Sequence, residues 1–291
     1  MSTRTLISPA LLARPRGRAL YWVVFAVVVG GFTLAFLGPL YWMVSSGFKD
    51  TQEVVQTPPT LVPHTFEPGN YSRAWEVMDL STLLFNTLYY AFGALAFQLV
   101  LDVAAAYSLS KLRPVFGKAV LGMMLATLMI PATVLVVPQY LTVLDLPIFE
   151  RNLLNSPWVI WLPSVTNAFN IFLLKRFFDS IPKELLDAAS IDGASPMRIL
   201  WSIVLPISRP ILGVVSIFAV VGVWKDFLWP MLTLPDPAGQ TLNVGIYSLA
   251  NGVPVNVLIA ALTIASVPTL LIFLVFQRNI MSGLTAGGLK G

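Results

Sequence analysis

The sequence predicts an all-α membrane protein with six transmembrane helices and both termini in the cytoplasm. Three observations predict it. Of the 291 residues, 56% are hydrophobic and 11% charged, against roughly 25% charged in ordinary soluble domains. Apolar stretches recur along the chain at about the 20 residues that a bilayer-spanning helix needs. Fourteen of the 18 lysines and arginines fall in alternate segments between those stretches, and such a bias marks the cytoplasmic side.

Residues 1–18 are polar and basic, with Arg4, Arg14, Arg16 and Arg18, and are expected to form a cytoplasmic arm. The apolar stretch after them is longer than a signal-peptide core, and no convincing small-residue cleavage site follows. The first span is expected at Leu20–Ser45, interrupted by Gly30-Gly31 and Pro39. Residues 46–80, rich in proline, read as an external loop with short helices. The second span is placed at Leu83–Leu109 and the third at Ala119–Leu141, joined by a basic turn with Lys111, Arg113 and Lys118. A short external loop holds Asp145, Glu150 and Arg151. The fourth span is placed at Trp158–Leu174, the fifth at Ile211–Trp229 and the sixth at Val257–Phe276. The domain organisation is thus an arm (1–18), a transmembrane domain (19–281, core about 83–280) and a small-residue-rich cytoplasmic tail (282–291). Proline and glycine inside spans are tolerable where neighbouring helices re-satisfy freed backbone groups.

Several chemistries are excluded. Cysteine is absent and His64 is the single histidine, so neither a disulfide framework nor a multi-histidine metal site can form. No G-x-x-x-x-G-K-[ST] phosphate loop occurs, so no ATP site of that kind is expected. Aspartate and glutamate are few and scattered, which argues against a paired-carboxylate hydrolase. No catalytic, cofactor or metal residues are therefore assigned. The net charge of +4 bears on orientation in the membrane rather than on nucleic acid. An ion-coupled secondary carrier is the rival from another class. It would want ionisable residues at mid-membrane, and Asp102 is the clear one. Six spans without an obvious inverted repeat weaken that reading.

Polar residues within spans are the candidates for a substrate path. Asn167 and Asn170 are three apart, hence on one helical face, with Ser164 three earlier. Their amides both donate and accept, which suits sugar hydroxyls; equally, such residues glue helices together. For Asp102, a helix–helix hydrogen bond is favoured over a transport role. Trp224, Asp226, Phe227 and Trp229 fall at the outer end of the fifth span. They read either as an interfacial aromatic belt or as a sugar-stacking site.

The stretch Asp187–Pro206 is polar and small inside an apolar chain. Pro182 and Glu184 suit a helix start. Ala188 and Ala189 give a smooth helical face. Gly193 can take the positive φ that ends a helix, and Ser195-Pro196 reads as a fresh N-cap and first position. A second short helix is expected over Met197–Leu205, stopping near Pro206. By itself the stretch is helix, turn, helix: a linker hairpin or a surface for another protein.

At these residues the chain resembles the permease subunits of bacterial binding-protein-dependent ABC importers. Their cytoplasmic EAA loop reads roughly EAA, three residues, Gly, nine residues, I-x-L-P. Here Asp187-Ala188-Ala189, Gly193 and Ile203-Val204-Leu205-Pro206 stand at that spacing, with Asp187 in place of the usual glutamate. Further marks are SGFKDTQEV, GNYSRAW, FNTLYYA, WKDFLWP and the tail GLTAGGLKG. The resemblance covers roughly residues 40–291 and is greatest to the carbohydrate branch, the second maltose-type permease above all; permeases for glycerol-phosphate-type solutes look similar. Lys225 stands where the family more often has a neutral polar residue.

The resemblance implies a type I importer permease fold with a cytoplasmic coupling helix, in the bacterial inner membrane. Glu184, Asp187, Ala188, Ala189, Asp192, Gly193 and Ala194 would then form the contact with an ATPase subunit. The implied partners are a second permease, an ATPase dimer carrying the ATP and Mg, an extracytoplasmic solute-binding protein, and a sugar, with lipid around the spans. The segment Pro230–Asn256 would reach toward the binding protein, and the tail would tuck between the ATPase subunits.

Overall fold

A computed structural model describes residues 14–147 and 151–288, the side chains of 278–288 excepted. Most of the expected arm, Glu150 and the last three tail residues lie outside this range. Among the described residues the fold is helical, and the one extended pairing is an isolated bridge between Leu146 and Arg151. The chain divides into two compact units. One comprises residues 1–74 with 253–263, the other 75–252 with 264–291.

In the first unit, helix α1 runs Pro15–Ser46. Pro15 at its first turn lacks an N–H that the helix would leave unpaired anyway. The helix therefore starts inside the expected arm and takes in Arg16 and Arg18. It is also unbroken: Gly30-Gly31 and Pro39 lie within it, contrary to the expected interruption. The short helices expected after it are present as α2 (Thr51–Val55) and α3 (Gly69–Val77). Asp50 caps α2 by accepting from the N–H groups of Gln52 and Glu53.

The SGFKDTQEV and GNYSRAW marks meet in a buried polar knot. Asn70 donates from Nδ2 to the carbonyls of Gly47 (3.1 Å) and Lys49 (2.8 Å). Asn256 donates to the Lys49 carbonyl and to Asn70 Oδ1, and accepts from Thr51 Oγ1. Lys49 itself is fully buried. Its Nζ donates to the Thr60 carbonyl at 2.6 Å and sits 4.1 Å from the centre of the Trp42 ring. The Thr60 hydroxyl donates to Glu53, which holds that carboxyl below its ordinary range. A lowered carboxylate contributes its stability above the unfolded-state pKa, and the contribution is lost as pH falls through the folded one. Removing a buried donor leaves its acceptors unpaired, at about 1–3 kcal/mol each. Asn70→Leu should therefore lower the melting temperature of the purified protein by several degrees. An unchanged melt would show that the knot does not stabilise the unit.

In the second unit, α4 (Leu80–Tyr107) continues through a π-helical turn, Ser108–Leu112. Helices α5 (Gly117–Thr127) and α6 (Ala132–Leu144) follow, bent by 102° at their break. There Pro131 cannot donate to the preceding turn. Next come α7 (Trp158–Ser164) and α8 (Ala168–Asp179). Then come α9 (Lys183–Ile191), the mixed helix α10 (Pro196–Ile207) and α11 (Arg209–Lys225). The segment after α11 forms α12 (Leu228–Thr233) and α13 (Leu242–Leu249). The last helix, α14 (Val255–Gly288), runs on through most of the expected tail.

Three described helices are long and apolar enough to cross a membrane: Pro15–Ser46, Leu80–Leu112 and Val255–Gln277. The bent pairs α5–α6 and α10–α11 raise that to as many as five. The fourth expected span is two short helices rather than one.

Helix α4 lies at the centre of its unit and meets α7, α8 and α11. In lipid, helix association comes from close packing rather than from escape of apolar surface from water. Its contact face is accordingly small: Ala91, Ala94 and Ala106 have no exposed surface. A Cβ at Gly93 would run into the Trp161 ring of α7. Val103, Tyr107, Ile171, Phe178 and Val215 complete the core below.

Polar residues of the FNTLYYA mark hold the chain between α12 and α13. Asn86 donates to the carbonyls of Ala238 and Gln240, and Tyr90 to that of Gly239. Thr87 accepts from the Leu242 N–H at 2.8 Å. Leu242, Val244 and Ile246 are buried. The segment expected as a loop is thus ordered and partly core, so replacing it by a flexible linker would remove packing as well as surface.

Candidate functional site

Two places gather most of the expected site residues: an exposed elbow and an amide-lined cavity. At the elbow, Pro182 occupies the N-cap of α9 and Glu184 its first turn. The helix ends in a Schellman motif. The Gly193 N–H donates to the Ser190 carbonyl (3.1 Å) and the Ala194 N–H to the Ala189 carbonyl (2.9 Å). Gly193 takes φ +78° to do so, the left-handed region glycine enters without steric cost. Ser195 then caps α10 by accepting from the Arg198 N–H, with Pro196 at the first helical position. Tyr107 at the end of α4 donates its hydroxyl to the Pro196 carbonyl at 2.9 Å, which fixes the elbow to the central helix. The second helix does not stop at Pro206. It passes through a π-helical stretch, Leu200–Val204, and bends by 83° into α11.

The seven expected coupling residues divide between two faces. Glu184, Asp187, Ala188, Asp192 and Gly193 are exposed. Ala189 and Ala194 are half-buried and pack against the chain's own core. Asp187 lies 3.7 Å from Lys183 with both side chains largely exposed, a pair worth little. Sequence reasoning missed four apolar side chains that surround the outward face: Leu185, Ile191, Met197 and Trp201. Ile191 is 86% exposed and Trp201 66%. A signal was available for Leu185, which stands at helical spacing from Ala188 and Asp192.

The cavity lies between α4, α7, α8 and α11 and encloses about 430 Å³. Its polar lining is Gln98, Ser164, Thr166, Asn167 and Asn170; Phe169 and Phe218 are among its apolar walls. Ser164, Asn167 and Asn170 do converge, but not as one helical face. Asn167 is the N-cap of α8, where its Oδ1 accepts from the N–H groups of Phe169 (3.0 Å) and Asn170 (3.1 Å). The Asn167 N–H donates in turn to Asp102 Oδ1 of α4, at 3.0 Å. Asp102 is fully buried, and the amides of Gln98 and Asn170 lie against its carboxyl. Its Oδ2 has no partner of hydrogen-bond geometry among the described residues. The favoured helix–helix bond of Asp102 is therefore present, and it joins α4 to the break that divides α7 from α8. Backbone N–H groups freed at that break thus find partners.

The other two substrate-path candidates lie elsewhere. Trp224 is 4% exposed and does not line the cavity. Its carbonyl accepts from Asn243 Nδ2. Asp226 terminates α11 and accepts from the Trp229 N–H at 3.4 Å. Trp229 is buried too, with its Nε1 donating to the Val159 carbonyl at 2.7 Å. These tryptophans pack inside the protein and do not form an interfacial belt. Lys225, beside them, is exposed.

Residues 99–285 match the family described as binding-protein-dependent transport system inner membrane component. This chain belongs to that family. The permease is 32% identical over 289 residues to the sulfoquinovosyl glycerol transport system permease protein SmoH of Agrobacterium fabrum, covering 98% of each chain. It is 31% identical over 261 residues to the sn-glycerol-3-phosphate transport system permease protein UgpE of Yersinia enterocolitica, covering 86% of this chain and 91% of that one. It is 31% identical over 256 residues to the diacetylchitobiose uptake system permease protein NgcG of Streptomyces coelicolor, covering 86% and 82%. Its fold matches a chain in the crystal structure of a bacterial ABC transporter that imports the acidic polysaccharide alginate. The TM-score there is 0.79 at 24% identity, over 91% of this chain and 98% of that one. The permease is thus a multi-pass inner-membrane component of a transport system.

Proposed function

We propose that the permease is one of two membrane subunits of an ATP-driven importer for a carbohydrate of oligosaccharide size. It crosses the membrane six times with both termini cytoplasmic. A dimer of ATPase subunits, which carries the ATP and Mg, docks on the outward face of the α9–α10 elbow. An external binding protein delivers the sugar. ATPase closure pushes on the elbow, and the spans rock between inward-open and outward-open states.

The cavity carries the choice of substrate. Its polar lining is amide and hydroxyl, with no lysine or arginine. Such groups both donate and accept, as sugar hydroxyls do, and the phenylalanine walls suit the apolar faces of sugar rings. The names of the Agrobacterium and Streptomyces relatives support a sugar. The Yersinia relatives favour a second reading, a glycerol-phosphate-type solute. A phosphate, however, is ordinarily met by arginine or lysine.

The test is uptake into vesicles holding the permease with its partner subunits and binding protein. Labelled oligosaccharides and sn-glycerol 3-phosphate are offered in parallel. Sugar uptake is expected, and Asn170→Leu should lower it about tenfold, the effect of losing a buried hydrogen-bonding group. Basal ATPase activity should stay unchanged. Uptake of glycerol phosphate without sugar uptake would establish the second reading instead.

A further inference from the structure

A second cavity, of about 600 Å³, opens at one end of the spans between the α4 π-turn, the start of α5, and α8. Its lining includes Arg113, Lys118 and Lys175 against a single carboxylate, Asp179. That carboxylate is already engaged, with Oδ2 2.7 Å from Lys175 Nζ and Oδ1 accepting from Ser110 Oγ at 2.7 Å. Among the described residues, Arg113 and Lys118 form no ion pair. The wall therefore carries two positive charges that the protein leaves unneutralised.

The surroundings of those charges are apolar. Leu112, Val115 and Phe116 are 55%, 94% and 77% exposed, beside a helix that ends its membrane-crossing length at Leu112. A water-facing surface would gain nothing from such side chains, whereas the boundary between headgroups and acyl chains accommodates them. The first turn of α5 adds to the positive potential, because Phe116 at its N-cap offers no side-chain acceptor. The volume suits a small organic group better than a bare anion.

We infer that this cavity binds the phosphodiester headgroup of an anionic phospholipid, with Arg113 and Lys118 as its cationic contacts and Val115 and Phe116 against the acyl chains. A basic pocket between spans recognises anionic headgroups by this combination. The site lies apart from the amide cavity and does not depend on which solute the permease carries.

The test uses the purified transporter complex, stripped of lipid and examined by native mass spectrometry with phosphatidylglycerol or phosphatidylcholine added. Wild type should retain phosphatidylglycerol in preference to phosphatidylcholine. Arg113→Gln and Lys118→Gln should each weaken that retention about fivefold, and the double variant about 25-fold. Lys225→Gln, an exposed charge outside the pocket, should change nothing. Both variant sites are exposed, and matching melting temperatures establish that the variants are folded. Equal retention in wild type and the double variant, or equal retention of the two lipids, would overturn the proposal. So would displacement of the lipid by an equal concentration of inorganic phosphate, which would make the pocket a free-anion site. Loss of the ATPase subunit from the double variant with lipid retention intact would assign the pocket to that partner.

Discussion

Replacing Ala188 by tryptophan should leave the permease folded and membrane-inserted while stripping it of its ATPase subunits. Ala188 is exposed on the outward stripe of α9, so the larger side chain meets solvent in the isolated chain. In a docked complex it meets the partner's surface, and overpacking a well-packed contact costs about 1–3 kcal/mol. Recovery of the ATPase on pulling down a tagged permease should fall about tenfold or more, and uptake with it. Ala189→Trp would be ambiguous, because Ala189 packs against the permease's own core. Gly193→Val tests the same elbow through the backbone. No atom lies within 4 Å of an added Cβ there, so its cost is conformational, about 1–2 kcal/mol for the left-handed φ. Gly193→Asn should be milder, since asparagine enters that region more readily. Asp187→Glu should be tolerated and Asp187→Lys should not. Normal ATPase recovery and normal uptake in Ala188→Trp would return the elbow to a plain connector between spans.

The turn of the elbow was legible because the residues that make it are local, whereas its tie to Tyr107, 89 positions earlier, was not. Pro182, Gly193 and the Ser195-Pro196 pair each act within one turn of themselves, and the Schellman motif closes over six residues. What the apolar runs concealed was continuity. Trp158–Leu174 reads as one span, yet Asn167 uses its amide to start a new helix, an ambiguity inherent in a side chain that serves equally as cap and as surface. Its backbone partner, Asp102, lies 65 positions earlier, and no periodicity connects the two. The polar knot was illegible for the same reason, since Asn70 and Asn256 meet across 186 positions. Composition likewise cannot separate a tryptophan at a membrane interface from one that packs inside with its N–H satisfied, as Trp229 does.

Asp102 should prove indispensable to the cavity yet dispensable as a charge. It ties α4 to the α7–α8 break, and Gln98 and Asn170 of the cavity wall lie against it. Asp102→Leu removes the acceptor of the Asn167 N–H and leaves that donor buried. It should lower stability by about 1–3 kcal/mol and depress uptake at least tenfold as the amides lose their support. Asp102→Asn keeps an oxygen where Oδ1 stands and nearly the same volume. It should retain most of the uptake, with an unaltered dependence on ATP and on pH. Asp102→Glu adds a methylene to a fully buried site and should fall between the two, by overpacking. An ion-coupled carrier makes the opposite prediction, because there a mid-membrane carboxylate works by binding and releasing its cation. In that case Asp102→Asn would abolish uptake while the fold survived, and a cation gradient alone would drive transport in wild type. Uptake by wild type and Asp102→Asn, measured with ATP, without ATP and with an imposed proton or sodium gradient, separates the two. Gradient-driven uptake lost on removing one charge would overturn both the positioning role of Asp102 and the ATP-driven mechanism.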